Sequence, residues 1–282
     1  MEKQKKNQEN PLGTLPVNQL LKQFAVPSII AMLVSALYNI VDQFFIGNSV
    51  GELGNAATNI AFPLTTSCIA IALLFGIGGA SAFNLAMGHG DEEEAVHYMG
   101  NAAISMFGCG VFLCLICQVF LEPMVYFFGA PENIAGYAKT YIRITSIGFP
   151  FLIMSSGGGH LIRADGSPKM SMICNLIGAI INTILDAMFV FGLHMGMAGA
   201  ALATIIGQFI SGGIAIRYLC HCKTVTLKRS HLKPHKKYIS RIMSLGGAPC
   251  SNQLAMMIVQ IVMNKSPTYY GNLSSFGESI PL

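Results

Sequence analysis

The sequence predicts an all-α polytopic membrane protein, and three observations support this prediction: its composition, its long apolar segments and the placement of its basic residues. Hydrophobic residues make up 52% of the 282 residues and charged residues only 11%, whereas roughly a quarter of a soluble domain is charged. A helix needs about 20 mostly apolar residues to cross a bilayer, because lipid offers no partner to backbone N–H and C=O groups. Six segments have this length and character, and a seventh comes close.

The six predicted spans are separated by short glycine- and proline-containing connections, so neighbouring helices should be antiparallel. The seventh segment, 242–263, is interrupted by four polar residues: Ser251, Asn252, Gln253 and Gln260. The predicted spans are 24–47, 60–87, 95–120, 141–161, 170–193 and 197–219, and the connections with turn chemistry are 47–54, 88–91, 123–136, 166–168 and 192–199.

Lysine and arginine concentrate in segments that alternate onto one side of the membrane, namely 3–22, 163–169 and 217–241. Cytoplasmic loops accumulate these residues, so we expect a multi-pass protein of the plasma membrane with its N-terminus in the cytoplasm. The acidic run 91–94 lies on the same side. It is either a solvated helix start with carboxylates at the N-terminal dipole or a patch that binds a partner.

Asp42 and Asp186 are the only carboxylates inside the predicted spans, and an acid within a membrane is a candidate functional residue. Each lies about five residues from the outer end of its helix, roughly 7 Å below it at 1.5 Å per residue. With Asn182 and Thr204 they would form an oxygen-ligand site for a proton or Na⁺. The alternative is that each acid caps a helix end or pairs with a residue such as Arg143. Possible supporting residues are Tyr38, Asn39 and Gln208.

Other patterns favour structural roles. The glycine-rich stretch 76–82 lacks the context of a phosphate loop and indicates close helix packing. The C-L-I-C of Cys114 to Cys117 lies within a predicted span, and Cys220 and Cys222 lack the second ligand pair of a zinc site. His160 is either an interfacial polar residue or part of a proton relay.

Four motifs resemble those of the multidrug and toxic compound extrusion (MATE) family. They are Pro27 with Y-N-I-V-D-Q-F-F-I-G (38–47), L-I-R-A-D-G-S-P-K (161–169), N-T-I-L-D (182–186) and G-M-A-G-A-A-L-A-T (196–204), in the order in which the family has them. The resemblance implies efflux of lipophilic, often cationic, drugs or toxins by alternating access, coupled to Na⁺ or H⁺. It also implies that Asp42, Asn182, Asp186 and Thr204 bind the coupling ion. Pro27 is a possible hinge.

The family has twelve helices in two six-helix lobes, which implies the following division of this chain. Residues 1–23 would be a cytoplasmic tail, 24–220 the first lobe, 221–241 a basic cytoplasmic linker, and 242–282 the start of a second lobe that is missing here. A weak internal repeat agrees, since Pro27 and Asp42 are fifteen residues apart, as are Pro249 and Asn264. On this view the chain is truncated, and we expect it not to transport alone.

Other functions make different demands on the sequence. Clustered cationic residues within the spans would favour a flippase for lipid-linked saccharides, which belongs to the same superfamily. An inactive fragment is compatible with the same sequence. An intramembrane enzyme would need a motif such as H-E-x-x-H, which does not occur. We therefore expect a transporter and not an enzyme, whose partners are the lipid bilayer and small lipophilic or cationic substrates, with no nucleic acid and no cofactor beyond the coupling ion.

Overall fold

The computed structural model describes residues 16–273, and this part of the chain is helical and contains no strand. The predicted fold class is therefore confirmed. The predicted tail before residue 16 and residues 274–282 of the predicted second-lobe segment lie outside the described residues. The helices are α1 Val17–Val50, α2 Glu52–Gly88, α3 Glu92–Val119, α4 Leu121–Phe127, α5 Glu132–Thr145, α6 Phe149–Ala164, α7 Pro168–Asp186, α8 Gly196–Leu219 and α9 Lys236–Leu273.

Six of the described helices are long and apolar enough to cross a membrane: α1, α2, α3, α7 with the turn that follows it, α8, and α9 up to Lys265. The predicted seventh span is among them. The predicted fourth span, 141–161, is instead divided between α5 and α6 by a 3₁₀ turn at Ser146–Gly148. Pro150 explains the break, because it lacks an N–H and starts a new helix at its second position.

The connections are shorter than the sequence predicts. The segment 47–54 contains a single non-helical residue, Gly51, with φ +78°, a left-handed conformation that costs a residue without a Cβ little. The second span accordingly begins at Glu52 and not at residue 60. The segment 123–136 is also largely helical, since α4 and α5 occupy most of it.

Helix α2 lies at the centre of the bundle and packs against α3, α6 and α9. The glycine-rich stretch provides these contacts: a Cβ on Gly76 would lie 2.7 Å from the Cα of Gly157 on α6, and one on Gly78 would collide with the carbonyl oxygen of Ile242 on α9. The close packing predicted for this stretch is therefore confirmed. The same contacts show why larger residues would not fit there.

Helix α9 runs antiparallel to α2 along much of its length. Gly246 lies against the backbone of Leu74, Ser67 Oγ donates to the sulfur of Met257 at 3.0 Å, and Asn264 Nδ2 donates to the carbonyl of Asn59 at 3.1 Å. One side of the seventh predicted span thus packs against α2, within the segment that precedes it.

Residues 220–235 connect α8 to α9 and are called the linker below. The buried carboxylate of Asp165 fixes its first part, accepting hydrogen bonds from Tyr218 OH at 2.7 Å, Lys223 N at 2.8 Å and both the N–H and the hydroxyl of Thr224. The linker is shorter than the predicted range 221–241, because α9 already begins at Lys236.

The second part of the linker is fixed to α3 through Asn101, which is fully buried. Its amide oxygen accepts from His235 N at 2.8 Å, and its Nδ2 donates to the carbonyl of His97 at 2.9 Å. Gly100 lies beside the linker, where an added Cβ would collide with the carbonyl oxygen of His231. The start of α3 is capped by Asp91, whose Oδ1 accepts from Glu94 N at 2.9 Å, so Asp91 has the predicted helix-start role.

Candidate functional site

Three helices bring the four main predicted site residues together. Helix α1 packs against α7 and α8, and α7 and α8 pack against each other. Asp42 comes from α1, Asn182 and Asp186 come from α7, and Thr204 comes from α8; all four are buried. Asp42 and Asp186 lie close enough for their charges to interact.

The polar atoms of this cluster are poorly satisfied by protein groups. Asp42 Oδ1, both carboxylate oxygens of Asp186 and both amide atoms of Asn182 are buried and have no hydrogen-bond partner among the described residues. Thr204 donates its hydroxyl proton to the carbonyl of Ala200 at 2.9 Å, so its oxygen can only accept from, or coordinate, any other group. The cluster can therefore offer two carboxylates, an amide oxygen and a hydroxyl oxygen to a cation.

The alternative structural roles of the two acids are not found. The ion pairs among the described residues join Lys139 to Glu122 and Lys237 to Glu94, and Arg143 is exposed. Neither carboxylate oxygen of Asp186 accepts a hydrogen bond from a backbone N–H, so it does not cap a helix end. The described residues contain no group of three or more His, Cys, Asp or Glu side chains that could hold a metal ion, so uncharged oxygens would have to complete any cation site here.

The backbone changes its geometry directly after Asp186. Residues Ala187–Gly192 form a π-helical turn, and the N–H of Leu193 bonds back to the carbonyl of Met188. Such wide turns within helices are rare and occur frequently at functional sites. No sequence signal predicts this one.

A cavity of about 590 Å³ lies beside the cluster. This volume is within the range of about 300–1,000 Å³ that is typical of sites for drug-sized molecules. Tyr38, Asn182, Thr204 and Gln208 line one end. Serines and amides line the middle, and His160 and Arg163 line the other end; the middle residues include Ser155, Ser156, Asn175 and Ser211.

Of the three residues predicted to support the site, two line the cavity and one does not. Tyr38 lines the cavity and lies near both Asp42 and Asp186. Gln208 also lines it, with a buried Oε1 that has no described partner and that packs against Gly148. Asn39 is exposed and donates to the carbonyl of Ser35 at 2.8 Å, so it does not contribute to the cluster.

Sequence reasoning missed Tyr141 on α5. This side chain lies near Asp42 and Tyr38, and its hydroxyl lies near Thr204. Its spacing of four residues from Thr145, which is buried, places both on one helix face and could have indicated it. Tyr141 therefore adds a phenolic oxygen to the environment of the carboxylates.

Pro27 is buried within α1, and the helix continues through it. A proline inside a helix removes one backbone hydrogen bond and is a common cause of bending. Ser28, the next residue, lines the cavity, so a bend at Pro27 would alter the cavity wall. The hinge role of Pro27 stays a prediction.

The chain is similar to known proteins over most of its length. The MatE family model matches residues 27–188. The multidrug export protein MepA of Staphylococcus haemolyticus (strain JCSC1435) is 29% identical over 266 residues, which are 93% of this chain and 59% of that protein. MepA of Staphylococcus aureus (strain MRSA252) is 25% identical over 270 residues, 95% of this chain and 60% of that protein.

Two solved structures show the same arrangement of helices. The MATE multidrug transporter DinF-BH is 32% identical, with a TM-score of 0.88 over 95% of this chain and 60% of that one. An outward-facing multidrug resistance MATE family transporter is 24% identical, with a TM-score of 0.81 over 91% of this chain and 57% of that one. The chain thus spans about 60% of the length of these relatives.

Proposed function

The chain belongs to the MatE family, and from this membership we propose that it acts in the export of lipophilic, often cationic, molecules, driven by Na⁺ or H⁺. The family consists of transporters, and the relatives named above include multidrug export proteins. We further propose that the protein resides in the plasma membrane with its N-terminus in the cytoplasm, as its basic residues indicate.

The observation that carries the proposal is the unpartnered cluster of Asp42, Asn182 and Asp186 beside the cavity. Burying a charge costs several kcal/mol unless it is paired, so two buried carboxylates are strongly stabilised by binding a proton or a cation. Oxygen ligands suit a hard cation such as Na⁺. A proton would need only the carboxylates.

The cluster can couple ion entry to substrate release because the ion and a cationic substrate are attracted by the same two carboxylates. With its carboxylates ionised, this end of the cavity attracts a cationic substrate; with a proton or Na⁺ bound, the attraction falls and the substrate is released. Alternating access then requires that the two states differ in the conformation of the cavity wall. Such a change would begin at Pro27, directly before the lining residue Ser28 on α1, and at the π-helical turn that follows Asp186 on α7.

Ion binding to the purified chain tests this proposal directly. We expect ²²Na⁺ binding, or proton uptake measured with a pH electrode, to be lost in Asp42→Asn and in Asp186→Asn, because Asn keeps the shape but cannot ionise. Glu122→Gln removes an exposed acid outside the site and is the matched control. Thr204→Ala should weaken Na⁺ binding but leave proton binding unchanged, which separates the two ions.

Efflux of the cationic dye rhodamine 6G from cells that lack other exporters provides the functional readout for the same variants, made in a version of the protein extended to the full length of its relatives. The proposal predicts that the Asp42→Asn, Asp186→Asn double variant loses ion-dependent efflux while its amount in the membrane is unchanged. Wild-type, ion-dependent efflux by this variant would rule out the cluster as the coupling site.

A further inference from the structure

The end of the cavity opposite the carboxylates contains a cation without a counter-ion. Arg163 is half-buried near the end of α6, and no ion pair joins it to a carboxylate among the described residues. Of the described residues that line the cavity, it is the one with a permanent charge. A half-buried guanidinium beside a cavity of this size is a docking point for an anion.

The hydrogen bonds of Arg163 define the chemistry of this end. It donates to Ser171 Oγ at 3.2 Å and to His160 Nδ1 at 3.0 Å. Because an arginine can only donate, His160 Nδ1 must accept, so the ring is neutral and carries its proton on Nε2. Three of the five guanidinium N–H groups and the His160 Nε2–H then remain for a ligand. All of these groups are donors, which suits an anionic group and not a cationic one.

The spacing of the two ends matches an extended drug-sized molecule. Ser171, which contacts Arg163, and Asn182, beside the carboxylates, are eleven residues apart on α7, or about 16 Å at 1.5 Å per residue. The wall between them is lined by small and uncharged polar residues such as Ser155, Ser211 and Asn175. One end of the cavity thus adjoins the two carboxylates, which lie behind the lining residues Asn182 and Thr204, and the other end presents hydrogen-bond donors.

We propose that Arg163 and His160 form an anion-binding subsite, which takes the carboxylate or phosphate of an amphipathic molecule whose other end points towards Asp42 and Asp186. The inference rests on the proposed function, since it assumes that the cavity admits substrate. It adds a negatively charged group to the molecule that the cavity would hold. The anionic group belongs either to a transported molecule or to a lipid headgroup that reaches the cavity.

A matched pair of dyes tests the subsite on the purified chain in nanodiscs of phosphatidylcholine. Rhodamine 19 carries a free carboxylate, and rhodamine 6G is its ethyl ester. By fluorescence anisotropy, Arg163→Gln should weaken rhodamine 19 binding at least about tenfold, the effect of one charge-assisted hydrogen bond, and should change rhodamine 6G binding little. Lys169→Gln removes an exposed charge nearby that does not line the cavity, and should change neither dye.

Two further measurements keep the test decisive. Arg163→Lys retains the charge but loses the planar fork, so it should bind rhodamine 19 with intermediate affinity, and it replaces the glutamine variant if that variant does not fold. Adding phosphatidylglycerol to the nanodiscs should weaken rhodamine 19 binding to wild type, and not to Arg163→Gln, if a lipid headgroup occupies the subsite. The absence of competition assigns the anion to the transported molecule.

The proposal is overturned if Arg163→Gln has no effect on either dye in either bilayer, or if it weakens both dyes equally. Binding of rhodamine 6G separates this failure from failure of the proposed function. If the wild-type chain binds neither dye, the cavity is not a substrate site, and both proposals fall. If it binds both dyes without any dependence on Arg163, only the anion subsite is wrong.

Discussion

Replacing Gly246 with alanine should force α9 away from α2. The added methyl group would collide with the carbonyl oxygen of Leu74 and would lie 2.7 Å from its carbonyl carbon and 2.9 Å from its Cα. Non-bonded carbon atoms pack at about 3.5–4.0 Å, so the two helices must separate by about 1 Å. Both partners at this contact are backbone atoms, which have no rotamer through which to move aside.

The neighbouring Gly247 provides a matched control with the opposite expected sign. A Cβ at Gly247 would have no neighbouring atom within 4 Å, so Gly247→Ala should stabilise the protein by about 0.5–1 kcal/mol through its better helix propensity. Overpacking at Gly246 costs about 1–3 kcal/mol, which exceeds the same gain in propensity. The two alanine variants should therefore differ in their free energy of unfolding by roughly 1–3 kcal/mol.

Unfolding of the two variants in SDS, followed by far-UV circular dichroism, measures this difference. The chain contains no tryptophan, so helicity is a better probe than intrinsic fluorescence. A Gly78→Ala variant should reproduce the loss, because its Cβ would collide with Ile242 in the same interface. Equal stabilities for the Gly246 and Gly247 variants would show that α9 does not rest on α2 as described, and would remove the basis for treating α9 as part of this bundle.

Two more predictions concern the side of the protein that carries the linker. Gly100→Ala should loosen the linker, because its Cβ would collide with the carbonyl of His231, and trypsin should then cleave the linker faster. Gly108→Ala on the same helix is the control: a Cβ there meets no atom within 4 Å, so cleavage should be unchanged. An impermeant maleimide should label the exposed Cys220 from the cytoplasm and should label Cys222 much more slowly, because burial raises the pKa of the Cys222 thiol. Labelling of Cys220 from the outside alone would reverse the proposed orientation.

The lengths of the apolar segments predicted most of the fold from the sequence, and the two intramembrane acids predicted the site. Asp42 and Asp186 are identifiable because charge is scarce in apolar segments, and the structure does bring them together with Asn182 and Thr204. Helix ends were less predictable. The segment 47–54 looks like a loop from its polar and glycine residues, yet one left-handed residue at Gly51 suffices to reverse the chain.

The features that sequence reasoning missed depend on contacts between helices. Asn39 and Tyr38 are adjacent in the sequence, but only Tyr38 faces the cavity, and that choice is made by the rotation of α1 against α7 and α8. Tyr141 comes near Asp42 and Thr204 because α5 packs against α8. The residues of the π-helical turn after Asp186 do not differ in type from those of an ordinary apolar helix, so no local pattern could have predicted the turn.

The placement of Arg163 shows how a residue with an ordinary sequence interpretation acquires a different meaning in the structure. By position it belongs with the basic residues at a helix end, whose usual role is to set orientation. Its neighbour Asp165 would be the expected counter-ion, but that carboxylate is occupied by Tyr218, Lys223 and Thr224 of the helix end and linker. The fold thereby separates an Arg–Asp pair that is close in sequence. Because Asp165 is bonded to the helix end and the linker, it does not neutralise Arg163, and Arg163 gives its end of the cavity a positive charge.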